Sequence, residues 1–367
     1  MTSDPQKPNR LISVDALRGF DMFWIIGGGA VVEHFIKPFD CPASAWIQNQ
    51  LRHVPWEGFH FEDLIMPLFL FLVGVVMPFS FDKRLAEGAN KLKLYRHILL
   101  RVILLWILGM IKQGNLLEFN HETLKLYSNT LQAIAAGYLI AAIILLHCKP
   151  RLQVGICAGL MLGYWALLAW VPVPGFGDGN LTPEGNLAIY IDKLLLGRFQ
   201  DGTPYTWILS SMTFAATVLL GVFSGRFLKS TASGLSKSAG LIIAGLACLL
   251  AGWLWSGWFA NIKHLWTSSF VLISGGMCMV LLGLFYLVID VWGWQRWAYG
   301  FVVIGSNAIV AYMADSVFNF WGIADRLVGG LDRWTGDWTG LVHALAAFSV
   351  LWLGLWYLYR NRTFVKI

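Results

Sequence analysis

Charged residues are scarce: they make up 13% of the 367 residues, about half of the roughly 25% usual in soluble domains. A chain this poor in charge cannot cover a water-facing surface, which excludes an ordinary soluble fold. Cysteine is scarce too. Cys41, Cys148, Cys157, Cys248 and Cys278 are scattered and mostly fall in apolar runs, so neither a disulfide framework nor zinc-type spacing is available. His53 and His60 are not accompanied by an HxxxH or HExxH pattern, and no metal is expected in the chemistry. The net charge of +6 forms no nucleic-acid patch, and its residues acquire meaning only when sorted by side of a membrane.

Hydrophobicity is abundant. The chain is 57% hydrophobic and 15% aromatic, with 19 Trp and a mean hydropathy of +0.61. Repeated apolar runs of about 20 residues predict membrane spans. A polar opening, Met1 to Arg10, leads into Leu11 to Asp21 and an apolar run to Ile36. Asp15, Arg18 and Asp21 interrupt this segment, so it reads as an uncleaved first span and not as a signal peptide. Asp15 and Arg18 can pair on one helix face, beyond a Ser13 cap. Further spans are expected at 63–82, 94–112, 130–147, 153–172, 205–226, 238–258, 266–289, 297–319 and 339–359.

The expectation is therefore an all-α polytopic membrane protein, one domain over 1–367, with ten spans and both termini on one side. With the termini cytoplasmic, 18 of the 27 Lys and Arg lie inside, among them Lys7, Arg10 and Lys366. The positive-inside rule favours this orientation. Loops at about 38–62, 113–129, 173–204 and 320–338 then face outward. The connection carrying Pro172 to Asn180 and Tyr190 to Gly197 is long enough for a lid or binding loop, or for flexible filler.

The segment Leu51 to Pro67 sets His53, His60, Glu57, Glu62 and Asp63 against the start of an apolar helix, a costly place for polarity. A histidine there can take a proton or carry an acyl group, with a nearby carboxylate fixing its tautomer. The same residues also suit an interfacial loop at headgroup level. Pro67 cannot donate to the Asp63 carbonyl, which leaves a polar spot at the helix start. Within the spans, Gln132 suits an interhelical hydrogen bond. Asn307, Tyr312, Asp315 and Asn319 form a polar stripe on one face of the ninth span.

Several blocks carry a resemblance. They are Arg10 to Gly19, His53…Trp56-Glu57-Gly58…Asp63-Leu64-Ile65-Met66-Pro67, Leu131-Gln132-Ala133-Ile134-Ala135, Tyr190 to Leu196, Lys263 to Phe270, Gly305-Ser306-Asn307-Ala308 and Phe364-Val365-Lys366-Ile367. In this order they resemble the heparan-α-glucosaminide N-acetyltransferase family of the transmembrane acyltransferase superfamily. The resemblance implies transfer of acetyl from cytoplasmic acetyl-CoA to an amino sugar or glycan beyond the membrane. The family's active histidine falls on His53 and its acidic residue on Asp63.

With that reading, Trp56, Glu57, Asp192 and Asn307 are candidates for acceptor contact. Arg18, Arg101 and Gln132 are candidates for donor contact, since guanidinium suits phosphate. Arg18 could instead pair with Asp15, and Arg101 could snorkel. A homodimer in the lipid bilayer is also implied. The chain departs from the family at Ile25, where a polar residue is usual, at Asp315 and Ser316, where a His-Glu pair is usual, and in a longer connection from Gly27-Gly28-Gly29 to His53. No lumenal domain precedes the core, which implies a bacterial or minimal relative in the bacterial inner membrane. Two other functions suit the same sequence: a secondary transporter of sugars or amino sugars, and an O-acyltransferase of an envelope glycan.

Overall fold

The structure is a computed structural model that describes residues 11–86, 88 and 90–365. The expectations for Lys7, Arg10, Lys366 and Ile367 lie outside the described residues. Among the described residues no strand forms; two isolated bridges, Glu57 to Ile262 and Val173 to Gly177, are the only β pairing.

The helices are α1 (Ile12–Phe23), α2 (Gly29–Ile36), α3 (Pro42–Gln50), α4 (Ile65–Ala86), α5 (Lys91–Gln113), α6 (Thr130–His147), α7 (Pro150–Trp170), α8 (Leu187–Leu196), α9 (Ser211–Lys229), α10 (Gly234–Ser256), α11 (Ser268–Tyr286), α12 (Tyr299–Ser306), α13 (Ala308–Val317), α14 (Phe320–Val328), α15 (Asp332–Thr335) and α16 (Thr339–Arg360). Local signals fix their starts. Asn129 Oδ1 accepts from the Leu131 N–H at 2.8 Å and Asn186 Oδ1 from the Ile189 N–H at 2.8 Å, satisfying donors that a helix N-terminus leaves open. Pro150 occupies the first turn of α7, where its missing N–H costs nothing.

Among the described residues, 8 helices are long and apolar enough to cross a membrane, or 9 if α12 and α13, bent by 64°, form one span. The tenth expected span corresponds to residues 12–36, which are helical but joined through a π-turn at Trp24–Gly28. Asp15, Arg18 and Asp21 lie in its first half.

The chain divides into two compact units, one built from residues up to 51 with 232–243 and 280–366, the other from 52–231 with 244–279. In the first, the Ser13 N–H donates to Asp290 Oδ2 at 3.2 Å, and Phe20 packs against Phe285 and Phe301 with centroids 5.6 and 5.7 Å away.

In the second unit α4 and α9 meet backbone to backbone. A Cβ on Gly74 would fall 2.0 Å from the Val218 carbonyl oxygen, and one on Gly221 2.0 Å from that of Phe71. Only glycine permits such an approach, the small-residue packing that membrane helices use in place of a hydrophobic drive. This contact fixes the helix whose N-terminal end carries Asp63.

Candidate active site

The second unit gathers its polar residues where the 51–60 loop, the 3-10 turn Phe61–Leu64 and the 259–267 loop come together. Gly58 makes the meeting possible. Its φ of +127° is a conformation other residues rarely adopt, and its N–H donates to the Asn261 carbonyl at 2.9 Å. The neighbouring bridge from Glu57 to Ile262 continues the contact.

Asp63 is the fixed point. Its residue is 1% exposed, and Oδ2 accepts from the Val54 N–H at 3.3 Å and the His60 N–H at 3.0 Å. Oδ1 lies 2.9 Å from His53 Nδ1 and 3.2 Å from Lys263 Nζ. A buried carboxylate needs this many partners, because an unpaired one would carry the full desolvation penalty. His60 serves the loop itself, with Nδ1 2.9 Å from the Arg52 carbonyl.

The His53 side chain is 48% exposed. With Nδ1 protonated and donating to Asp63, Nε2 carries the lone pair and can take a proton or attack a carbonyl. The contact joins the two residues that the sequence places ten apart at the head of one helix. Lys263 was not singled out there: a lone lysine before a span reads as an interfacial charge, and only its place in the Lys263 to Phe270 block pointed to it.

The 259–267 loop holds Lys263 through the two residues that follow it. The His264 carbonyl accepts from the Thr206 N–H at 3.0 Å and the Thr206 hydroxyl at 3.1 Å. The Leu265 carbonyl accepts from the Tyr164 hydroxyl and from Ser210 Oγ. Trp266, with φ of +52°, is locked between Phe214 and Phe270 at centroid distances of 4.9 and 5.0 Å, and its indole N–H donates to Thr217 Oγ1 at 3.0 Å. Lys263 thus has little freedom. Burial lowers its pKa from the ordinary lysine value, while the carboxylates of Asp63 and Glu62 pull the other way.

Aromatic rings line the same region. Trp56 stacks on His264 at 5.1 Å, Tyr205 lies 4.3 Å from His264, and the Trp56 indole N–H donates to the Leu181 carbonyl at 3.0 Å. Burial, and then the Lys263 charge, push His264 down to about 4, so it is neutral at physiological pH. Burial pushes Tyr205 up to about 12, helped by Asp63 and Glu62. Glu57 is exposed.

Other expected site residues are used elsewhere. Asp192 is completely buried and accepts from the N–H groups of Trp207 at 2.7 Å and Ile208 at 3.0 Å. It fixes the 205–210 turn and has no exposed surface to offer a sugar. Burial raises its pKa to about 6, against those two hydrogen bonds. Gln132 is equally buried, with Oε1 accepting from the Ser128 N–H at 2.9 Å and Nε2 donating to the Leu126 carbonyl at 2.7 Å. In the first unit, Asn307 is buried and holds the C-terminal segment, donating to the Thr363 carbonyl at 3.1 Å and accepting from the Val365 N–H at 3.0 Å. A residue that looks like part of a polar stripe is there a clamp for the tail.

Arg18 lies 3.7 Å from Asp15, the i, i+3 pair expected. Arg101 in α5 places its guanidinium 4.5 Å from the Tyr138 ring centre, and its buried Nε has no hydrogen-bond partner among the described residues. In the first unit Asp325, Asp332 and His343 lie close enough to share a cation. Asp332 approaches Nε2 of His343 and Asp325 approaches Nδ1, so the carboxylates address different ring nitrogens.

No family model matches the chain. It is 25% identical over 379 residues to heparan-alpha-glucosaminide N-acetyltransferase of Homo sapiens, covering 85% of this chain and 53% of that protein. It is 26% identical over 431 residues to the Mus musculus protein of the same name, covering 98% of this chain and 61% of that one. The chain therefore spans about half to three-fifths of the length of these relatives. It is a multi-span α-helical membrane protein that resembles the heparan-alpha-glucosaminide N-acetyltransferases along most of its own length.

Proposed function

We propose that the chain is a membrane acyltransferase that moves an acetyl group from acetyl-CoA to an amino sugar or glycan across the membrane, with His53 as base or acyl carrier. The observation that carries this reading is a half-exposed His53 whose Nδ1 is fixed 2.9 Å from a buried Asp63. The relatives' names support the acetyltransferase class.

In direct transfer, the acceptor amine attacks the thioester carbonyl while its proton passes to His53 Nε2. The C–N bond forms, the C–S bond breaks, and the proton on Nε2 goes to the departing thiolate. In the carrier route Nε2 attacks the thioester first, the C–S bond breaks and CoA leaves as thiolate; the amine then attacks the acetyl-imidazole, the C–N bond to the ring breaks, and the amine proton passes through the freed Nε2 to the thiolate. Either route uses the same tautomer, with Nδ1–H donated to Asp63. Trp56 and Glu57 stand in the same loop as His53, and we assign them to the acceptor. We assign Arg101 to the donor, because a guanidinium suits a phosphate.

The test is CoA thiol release from acetyl-CoA by purified protein in liposomes, with and without glucosamine, for wild type and His53→Ala. Release that requires the amino sugar and is lost in the variant supports transfer. A second reading, a sugar transporter, is favoured by the 64° break between α12 and α13, since transport sites are often built at interrupted helices. Saturable uptake of unmodified sugar without any CoA release would select it.

A further inference from the structure

The Asp63 to His53 contact has a third member. Lys263 Nζ is 3.2 Å from Asp63 Oδ1 and 3.1 Å from His53 Nδ1, so a cation and an anion address the same ring nitrogen. These two contacts cannot both be hydrogen bonds to Nδ1 at once. Nδ1 either donates to the carboxylate or accepts from the ammonium. The two states differ in which nitrogen of His53 offers its lone pair.

We propose that Lys263 is a positioning residue whose ammonium offsets the Asp63 carboxylate at Nδ1 of His53, so that the Nε2 lone pair is kept available. This rests on the reading of His53 as base or carrier. A carboxylate alone beside Nδ1 would orient the ring but would also stabilise imidazolium, and an imidazolium can neither accept a proton nor attack a thioester. A lysine bonded to the same oxygen cancels most of that field and leaves the orienting hydrogen bond in place. Once Nε2 has taken a proton, the nearby ammonium repels the new charge and favours its onward transfer.

The surroundings leave this balance to few groups. The charged or titratable groups around Lys263 are Asp63 and Glu62 from the turn, His53 from the 51–60 loop, His264 from its own loop and Tyr205 from the 205–210 turn. His264 and Tyr205 are neutral at physiological pH, so Lys263 is the cation that opposes Asp63. Its side chain is 6% exposed, which keeps solvent and salt from screening it. The loop anchors just after it, at His264 and Leu265, keep it from swinging away.

The test compares wild type, Lys263→Met and Lys263→Arg as intact protein in detergent. The pH dependence of His53 modification by diethyl pyrocarbonate is read by peptide mass spectrometry. That reagent acylates imidazole only in its neutral form, so the readout does not require turnover. In Lys263→Met the midpoint should rise by about one pH unit or more, making His53 about tenfold less reactive on the acid side, while Lys263→Arg should retain the wild-type midpoint. The acid limb of kcat/KM for CoA release should move by the same amount.

A midpoint that stays in place or falls in folded Lys263→Met overturns the proposal, as does a uniform loss of turnover at every pH. Should Lys263→Met not fold, Asp63→Asn gives the opposite sign. There the remaining ammonium should lower the midpoint relative to wild type, and an unmoved midpoint overturns the proposal equally. Absence of CoA release by wild type would defeat the acetyltransferase reading alone, because the modification profile still decides the role of Lys263.

Discussion

Nδ1 of His53 lies 2.9 Å from Oδ1 of Asp63, and the two residues differ tenfold or more in exposure, 48% against 1% at the side chain. One end of the pair is sealed in protein and the other is open to a substrate. Removing the open end should abolish chemistry without disturbing the fold. His53→Ala is expected to lower the rate of CoA release by about 10² to 10⁴, with an unchanged thermal midpoint. Asp63→Asn should lower kcat while leaving acetyl-CoA binding intact, measured by titration calorimetry, because in the proposed reading its carboxylate acts on His53 and not on the donor.

Arg101 carries the donor assignment. Its guanidinium is placed by Tyr138, so Arg101→Ala should raise the KM for acetyl-CoA about tenfold, the worth of one hydrogen bond to a charged group. The KM for the sugar should not move. An equal rise in both would mean that Arg101 only supports the helix.

Asp192 predicts a pH dependence of stability. Its folded pKa, raised to about 6, exceeds the unfolded value of about 3.9, so folding penalises the charged form. The chain is relatively stabilised below about pH 4 by this group, and that advantage is lost as pH rises to about 6. The upper bound is about 3 kcal/mol. Asp192→Asn should flatten the thermal midpoint between pH 4 and 7 in detergent, at the cost of one of the two backbone hydrogen bonds to Trp207 and Ile208.

Gly74 predicts a packing effect. A methyl group there meets the Val218 backbone at 2.0 Å, and backbone cannot rotate away as a side chain could. Gly74→Ala should cost about 1 to 3 kcal/mol, seen as a lower thermal midpoint and less monodisperse protein. Because α4 carries Asp63 at its N-terminal end, CoA release should fall with it.

The sequence by itself determined the class and much of the local structure. Scarce charge and repeated apolar runs dictate membrane helices, and Asn129, Asn186 and Pro150 mark helix starts, because hydropathy and capping act over a few residues of chain. His53 and Asp63 were legible for the same reason, ten residues apart at the head of one helix. The tertiary structure alone decided the rest. It brought Lys263 to His53 from 210 residues away, and it spent Asp192, Gln132 and Asn307 on backbone groups of their own chain. A buried polar side chain is satisfied by whatever packing places beside it, and that neighbour is written in the fold and not in the local run of residues.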